Sequence, residues 1–405
     1  DPNDNMRLLE GPVPIFYSDY KNRGYDRCGD NNEIERMPSL EGGWVNKIGG
    51  KYYLTYATPG TEFSTYCDGV AVSDHPLGPF ENCDNSLTVF RSTGFMRGAG
   101  HGCLFEDKRG KLWKIDTVSI SVNHMFERRL CLFPAKIKDD GRLYTNTLRG
   151  DYPMFYPHET DDPFEDGDAG VHLLSYGAAC TASSCLDGDH APDKAADENM
   201  KTWWSAKSGD PGEWLTLDLG QRLPVFSVQV NFADQDITDT TGRDNGFSYK
   251  YTLEVSDDGE SWRTLTDRRD NTDDKSHEYF QYENEEFRYI KLTNHGEIPA
   301  GGRIAVSGLR VFGTGKGKAP DSAPEFSVLR EEDGRNMRVT WQKVNGAEGY
   351  FVRFGVDENA LHTHFQIIGD TKADIRCLIN GVSYYVTVDA YNKNGVTYGK
   401  KIKKA

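Results

Sequence analysis

The feature that most limits how this chain can fold is a repeated rhythm of short strands and tight turns. GGKYYLTYA (49–57), DGVAVSDHPLGPFE (68–81), HGCLFEDKRGKLWKID (101–116) and ERRLCLFPAKIKDDGRLYTNT (127–147) each place alternating apolar residues between Gly, Asp and Asn turns. A period near two, with hardly any 3.6-residue period, excludes a helical protein. Strand, DG or GG turn, aromatic strand and Pro/Gly turn in succession is the pattern of blades of four antiparallel strands. The 42 Gly, 21 Tyr, 20 Phe and 7 Trp agree with it, because aromatic side chains suit a pleated sheet. At roughly 100–200 residues per domain, 405 residues make two to four domains. Two shifts in composition mark the joints: an acidic stretch rich in Pro and Gly at 154–171, and GTGKGKAPDSAP at 313–324. They delimit segments 1–165, 172–314 and 322–405, all read as β structure.

The formal net charge of −16 excludes a general nucleic-acid binder or a basic membrane-surface protein, since either needs a positive face for phosphates. No apolar run approaches the ~18–20 residues of a membrane span. The chain opens at Asp1 without a charged n-region or an apolar h-region, so a targeting signal is expected to lie outside it. Eight cysteines show no CxxC pair and no zinc-ligand spacing, which argues against a structural zinc site. Cys180 and Cys185 lie near enough in sequence to bridge across a hairpin or bulge, and buried thiols are the simpler alternative.

Two polar clusters stand out in the first segment. Glu41 precedes two glycines and a Trp at the head of PSLEGGWVNKIGGKYYLTY. A carboxyl at a strand start beside an aromatic can be partly desolvated, which favours the protonated form that a general acid needs. A solvated loop glutamate is the plainer alternative. The second cluster is FMRGAGHGCLFED, where Gly98, Gly100 and Gly102 surround His101. Glycines let backbones approach closely and set the imidazole in a narrow place, suited to a metal or a buried water; a satisfied core histidine is the other reading.

These residues carry a resemblance. PSLEGGWVNKIGGKYYLTYATPGTEFSTYCDGVAVSDHPLGPFE, GAGHGCLFEDKRGKLW and SVNHMFERRLCLFPAKI resemble, in order and spacing, the later blades of the five-bladed propellers of glycoside hydrolase family 43. The resemblance implies inverting hydrolysis by a base Asp on the first blade, a pKa-tuning Asp on the second and a general-acid Glu on the third. It places the acid on Glu41, an axial metal or ordered water on His101, and a sugar-binding arginine on Arg128, with Arg129 the adjacent alternative. Inverting chemistry sets acid and base about 6.5–9.5 Å apart, with a water between the base and the sugar. A whole five-bladed propeller needs on the order of 250–300 residues, and DPNDNMRLLEGPVPIFYSDY resembles the tail of a second blade. Roughly three-fifths of a propeller is therefore expected, with the base and the tuning Asp supplied by N-terminal blades or a partner chain outside this sequence. Asp1, Asp4, Asp26 and Asp30 receive no such role; the last two are read as loop acids near the acid motif. Gly43 replaces the family's usual Pro after the acid, which predicts a looser acid loop.

In the second segment, KTWWSAKSGDPGEWLTLDLGQRLPVFSVQVNF and YTLEVSDDGESW resemble the F5/8 type C, or discoidin-like, jelly roll, as in carbohydrate-binding modules of family 32. Trp203, Trp204 and Trp214 are read mainly as core aromatics. The resemblance implies a calcium site on the loop that reads DEN here, with Asp197 and Thr202 as side-chain ligands and carbonyls completing it. Ser307 stands where the family often has a Glu. Asp234, Arg243, Asp244 and His295 fall in loops where such modules contact sugar; a module that binds nothing and serves as a spacer is the alternative. In the third segment, MRVTWQKVNGAEGYFVRFG and NGVSYYVTVDAYNKNGVTYG resemble a fibronectin type III sandwich with Trp341 and Tyr385 as its core pair. The closing KKIKKA is read as a solubilising tail.

The resulting expectation is a secreted, periplasmic or cell-surface bacterial exo-glycosidase. It would cut terminal arabinofuranosyl or xylosyl units, with galactosyl as a third option, from plant polysaccharide or oligosaccharide. The alternative from another class is a non-catalytic carbohydrate-binding accessory protein with an incomplete propeller.

Overall fold

A computed structural model describes residues 11–120, 127–148, 150–154, 160–237, 247–299 and 301–405. The architecture is all-β. In the first domain, strands β1 (Glu41–Ile48), β2 (Lys51–Thr58), β3 (Cys67–Ser73) and β4 (Glu81–Phe90) form one four-stranded meander, in chain order. Strands β5 (Arg97–Glu106), β6 (Leu112–Ser119), β7 (Arg128–Ile137) and β8 (Leu143–Thr145) form a second. Every neighbouring pair is antiparallel. Gly49 and Gly50, both at positive φ (58° and 86°), close the β1–β2 hairpin, as a two-residue turn matched to strand twist requires. Tyr53, Val70, Leu104, Ala135 and Leu143 form one cluster between the two sheets, and Val89, Phe95, Ala99, Val118 and Phe133 a second. At roughly 1.5–3 kcal/mol per fully buried large apolar side chain, this contact makes the two sheets one propeller-like body.

Two blades are present among the described residues, where the resemblance and the segment length implied roughly three-fifths of a five-bladed propeller. The described residues ahead of β1 hold no blade; they contain a short 3-10 turn at Gly24–Asp26. Instead they bind the third domain: Arg23 bridges to Ile379, Gly24 N donates to Leu378 O and Asn380 N donates to Asn22 O. Asp26 is not a loop acid. It is fully buried against Arg23 Nε at 2.7 Å, and Arg23 in turn lies over the rings of Phe16, Tyr25 and Tyr56.

The second domain is an eight-stranded sheet system built on two long antiparallel strands, Trp214–Phe232 and His277–Asn294, with Trp214 opposite Thr293 and Asn231 opposite His277. Trp204 is fully buried in its core, whereas Trp203 is half-buried and donates from Nε1 to Gln235. Trp214 is also half-buried. Cys180 and Cys185 are free thiols.

The third domain is a sandwich. Phe326–Arg330, Met337–Trp341 and Lys372–Ile375 form one sheet; Gly349–Gly355, Thr363–Ile368, Tyr385–Asn392 and Gly395–Thr397 lie in the other. Trp341 is buried edge-on to Tyr350, with ring centroids 5.2 Å apart. Its expected partner Tyr385 is only half-buried. Val386, Val388 and Ala390 face inward, so strand alternation turns Tyr384 into the core and Tyr385 away from it.

Neither composition shift is a free tether. Within 154–171, Pro163–Asp166 forms a helical turn capped by Asp162, and Phe164 is buried against the ring of His362 at 4.6 Å. In 313–324, Gly317 N donates to Asn394 and Thr397 Oγ1 donates to Pro320 O. At the centre of the joint, Asp151 accepts from Arg91 at 2.5 Å and from Arg310 at 3.4 Å, while Arg310 also donates to Glu198 at 2.6 Å. All four side chains are at most 2% exposed. Two cations and two acids share this dry space, which is how buried charges become tolerable.

Candidate active site

Glu41 opens β1 at the inner edge of the first blade and His101 lies mid-way along β5 at the inner edge of the second. Their side chains meet: Glu41 Oε1 is 3.7 Å from His101 Nδ1, and the Tyr66 hydroxyl donates to Glu41 Oε1 at 3.0 Å while lying 3.3 Å from His101 Nδ1. The glycines permit this. Gly42 has φ +61°, and a Cβ there would sit 2.7 Å from the His101 ring. Glu41 pairs with Ala57, and a register shift follows before Trp44. Gly42 and Gly43 thus form a bulge pinned at both ends, rather than the looser loop expected from the missing Pro.

Below the site lies a sealed charge cluster. Asp68 accepts the backbone N–H groups of His101 at 2.8 Å and Gly102 at 3.2 Å. Lys114 bridges Asp68 and Asp116, all three fully buried. Burial opposes charge on Asp68, but Lys114 and the donated hydrogen bonds hold its carboxyl below the usual range. Burial drives Asp116 well above it, the expected split when two carboxylates share one cation. The packing is tight: a Cβ on Gly102 would lie 1.7 Å from Ile115 O. This cluster anchors His101 in its left-handed conformation, φ +59°.

Desolvation of Glu41, expected from the neighbouring Trp, is not what the arrangement delivers. Its side chain is 47% exposed, and Trp44 is itself 50% exposed, since both lie on the inner strand of the blade. Burial, Glu41 and Asp68 together push the Tyr66 phenol far above its usual value, against the pull of Arg128. Tyr66 is therefore a hydroxyl donor at every ordinary pH.

Arg128 opens β7 and donates to Thr61 Oγ1 and Thr117 Oγ1, each at 3.3 Å. Thr117 Oγ1 donates to Gly100 O at 2.9 Å, next to His101. Arg129 turns the other way, to Glu127 Oε1 at 3.3 Å. Asp30 is exposed and accepts from Ser64 N and Lys201. Asp1 and Asp4 lie outside the described residues.

In the second domain, Thr202 Oγ1 lies 2.6 Å from Asp197 Oδ2 and 3.0 Å from Asn199 O. Burial raises the Asp197 carboxyl, and it has no ion pair among the described residues. These are oxygens of the type a hard cation takes, here bonded to one another through the Thr202 hydroxyl. The other local donors face elsewhere: Glu198 binds Arg310, and Ser307 Oγ donates to Asn231 O. Among the described residues no group of three His, Cys, Asp or Glu side chains is placed to hold a metal. Asp234 is fully buried and accepts from Tyr249 at 2.6 Å, so it is not a surface contact. His295 is exposed beside Thr252. Arg243 and Asp244 lie outside the described residues.

Sequence reasoning missed Tyr66, Asp68 and Lys114. The available signals were DG at the start of a strand and a lysine two residues before an aspartate in the strand LWKID; the meeting of Asp68 and Lys114 depends on pairing across 46 positions.

No curated protein matches the chain. Among solved structures, a glycoside hydrolase is similar at 20% identity and TM-score 0.37, covering 69% of this chain and 61% of its own. This chain thus spans less than two thirds of that enzyme. A chitosan-binding module in complex with chitotriose, from a chitosanase/glucanase of Paenibacillus sp. IK-5, is similar at 20% identity and TM-score 0.29, over 34% of this chain and 98% of its own. A family 32 carbohydrate-binding module from C. perfringens NanJ, in complex with galactose, is similar at 19% identity and TM-score 0.28, over 35% of this chain and 98% of its own. The family model for glycosyl hydrolases family 43 matches residues 10–143, which include Glu41, His101 and Arg128, and that for the F5/8 type C domain matches residues 179–309, which include Asp197 and Thr202.

Proposed function

We propose that this chain is the acid-bearing part of an inverting exo-glycosidase that releases terminal arabinofuranosyl or xylosyl units, with galactosyl as the third candidate, from plant polysaccharide. The observation that carries the reading is the convergence of Glu41, Tyr66 and His101 within the stretch matched by glycosyl hydrolases family 43. Glu41 protonates the leaving oxygen, and the Tyr66 hydroxyl fixes the orientation of its carboxyl. His101 holds an axial ion or water, and Arg128 binds a hydroxyl of the terminal sugar. The base and the tuning Asp come from blades beyond the two described, or from a partner chain. The second domain is a carbohydrate-binding module, its loop steadied by a calcium ion at Asp197, Thr202 and the Asn199 carbonyl. The third is a fibronectin type III spacer. A polysaccharide substrate places the protein outside the cytoplasm.

The test uses nitrophenyl glycosides and natural oligosaccharides, assayed with the blades that supply the base. Glu41→Gln should lower kcat about 10²–10⁴-fold on poor leaving groups, and much less on activated aryl glycosides. Equal losses on both would remove Glu41 from the acid role.

One observation favours a second reading. Asp68 and Asp116, the carboxylates beneath His101, are sealed around Lys114 and cannot activate a water. Without outside blades the protein is a carbohydrate-binding accessory, which binds oligosaccharide and turns nothing over.

A further inference from the structure

The loop from Asp197 to Thr202 belongs to the second domain by chain position, but it is seated in the first. Met200 is 4% exposed and shares its hydrophobic cluster with Val89, Phe95, Met96, Ala99 and Val118 of the propeller blades. Asn199 Oδ1 accepts from Arg97 Nη2 at 3.5 Å. Lys201 Nζ pairs with Asp30 at 3.0 Å, and the other Asp30 oxygen accepts from Ser64 N at 2.7 Å. The loop therefore reaches both segments that deliver side chains to Glu41: the turn leading to Tyr66, and the strand carrying His101.

That strand needs outside support. Its ladder to β6 runs through Arg97–Ser119, Gly100–Thr117 and Cys103–Ile115, with register shifts on both sides of Gly100. His101 adopts a positive φ that a non-glycine residue keeps only when its surroundings impose it. Gly98 presses on the turn before β3 and Gly100 on its first residue, where an added Cβ would lie 3.2 Å from Phe63 O and 3.1 Å from Cys67 O respectively. Regular pairing does not hold this stretch; Asp68 holds the His101 and Gly102 end through their backbone N–H groups, and the hydrophobic cluster around Ala99 holds the other. Lys201 and Asp30 are about half exposed, and a pair so hydrated orients the loop more than it stabilises it. The buried Met200 side chain, unbranched and able to fill an irregular gap, carries the contact.

We propose that Met200 is a positioning residue of the Glu41 site: by filling the space beneath β5 it sets Ala99 to Gly102, and through them the place of His101 against Tyr66 and Glu41. The inference rests on the glycosidase reading for the site's purpose, and it makes the carbohydrate-binding module a structural part of that site.

The test is nuclear magnetic resonance of the full chain, labelled at His and Tyr rings, with His101→Gln and Tyr66→Phe used for assignment. Met200→Ala should displace the ring signals of both His101 and Tyr66, and Met200→Leu should restore them. Met200→Val, a smaller truncation, serves if the alanine variant does not fold. Val255→Ala opens a cavity in the second domain's own core, where Val255 is 1% exposed; it should lower the melting temperature and leave both signals in place. Unmoved signals in the Met200 truncations, or equal displacement by Val255→Ala, would overturn the proposal. Because no substrate is present, a glycoside panel that shows no hydrolysis would sink the glycosidase reading and leave this result standing.

Discussion

Acid should loosen the joint between the first and third domains, in part through the His364 imidazole. His364 is 2% exposed, with Arg91 Nη1 3.5 Å from Nε2, Thr147 Oγ1 3.4 Å from Nδ1 and the Phe351 ring alongside at 5.9 Å. Burial, then the Arg91 charge, with Arg353 beyond, lower its pKa from 6.5 to about 3, against a small opposing pull from Asp151. The unfolded chain binds a proton at this residue below pH 6.5, while the folded chain does not until about pH 3. Stability from this residue is therefore complete above pH 6.5 and falls as the pH drops toward 3. At about pH 5 the loss is 1.36 × (6.5 − 5), or about 2 kcal/mol. His364→Gln removes the titrating group. Urea unfolding of both proteins at several values from about pH 7.5 to pH 4 compares their slopes, and other acids common to both cancel in the difference. The variant should lose about one proton of slope, roughly 1.36 kcal/mol per pH unit, on the acid side. Identical slopes would refute the reasoning, as would a His364 titration midpoint near that of a free imidazole.

Two further outcomes follow from buried chemistry. Arg310→Met leaves Glu198 and Asp151 short of a cation in a dry joint, and should cost about 3–5 kcal/mol by chemical denaturation; a change below about 1 kcal/mol would mean that water enters there freely. Chelation of divalent ions should lower the melting temperature of the full chain if calcium sits at Asp197 and Thr202, and an Asp197→Asn variant should be insensitive to the chelator. A wild-type curve that chelation does not move would leave that loop without its ion.

The strand rhythm carried the sheet architecture because alternation and turn chemistry are local: Gly49 and Gly50 announce their hairpin whatever surrounds them. Glu41 and His101 are each marked in the sequence by neighbouring glycines, and Gly42 proves to be the residue that lets one approach the other. What stayed hidden depends on distant partners. Asp26 looks like any loop acid until Arg23 and the third domain close over it. The exchange of Tyr385 for Tyr384 is a one-residue error of strand parity, which adjacent tyrosines in SYYVTV cannot resolve. Lys114 carries no mark in the sequence of its burial, although two acids from separate strands enclose it.

The docking of Phe164 into the third domain has a consequence for reach. A flexible stretch the length of 154–171 would let its ends wander over about 5–6 Å × √18, roughly 23 Å. With Phe164 fixed beside His362 and Ala360, that freedom is gone. The second domain is held at one set offset from Glu41, so geometry rather than linker statistics decides the distance between them.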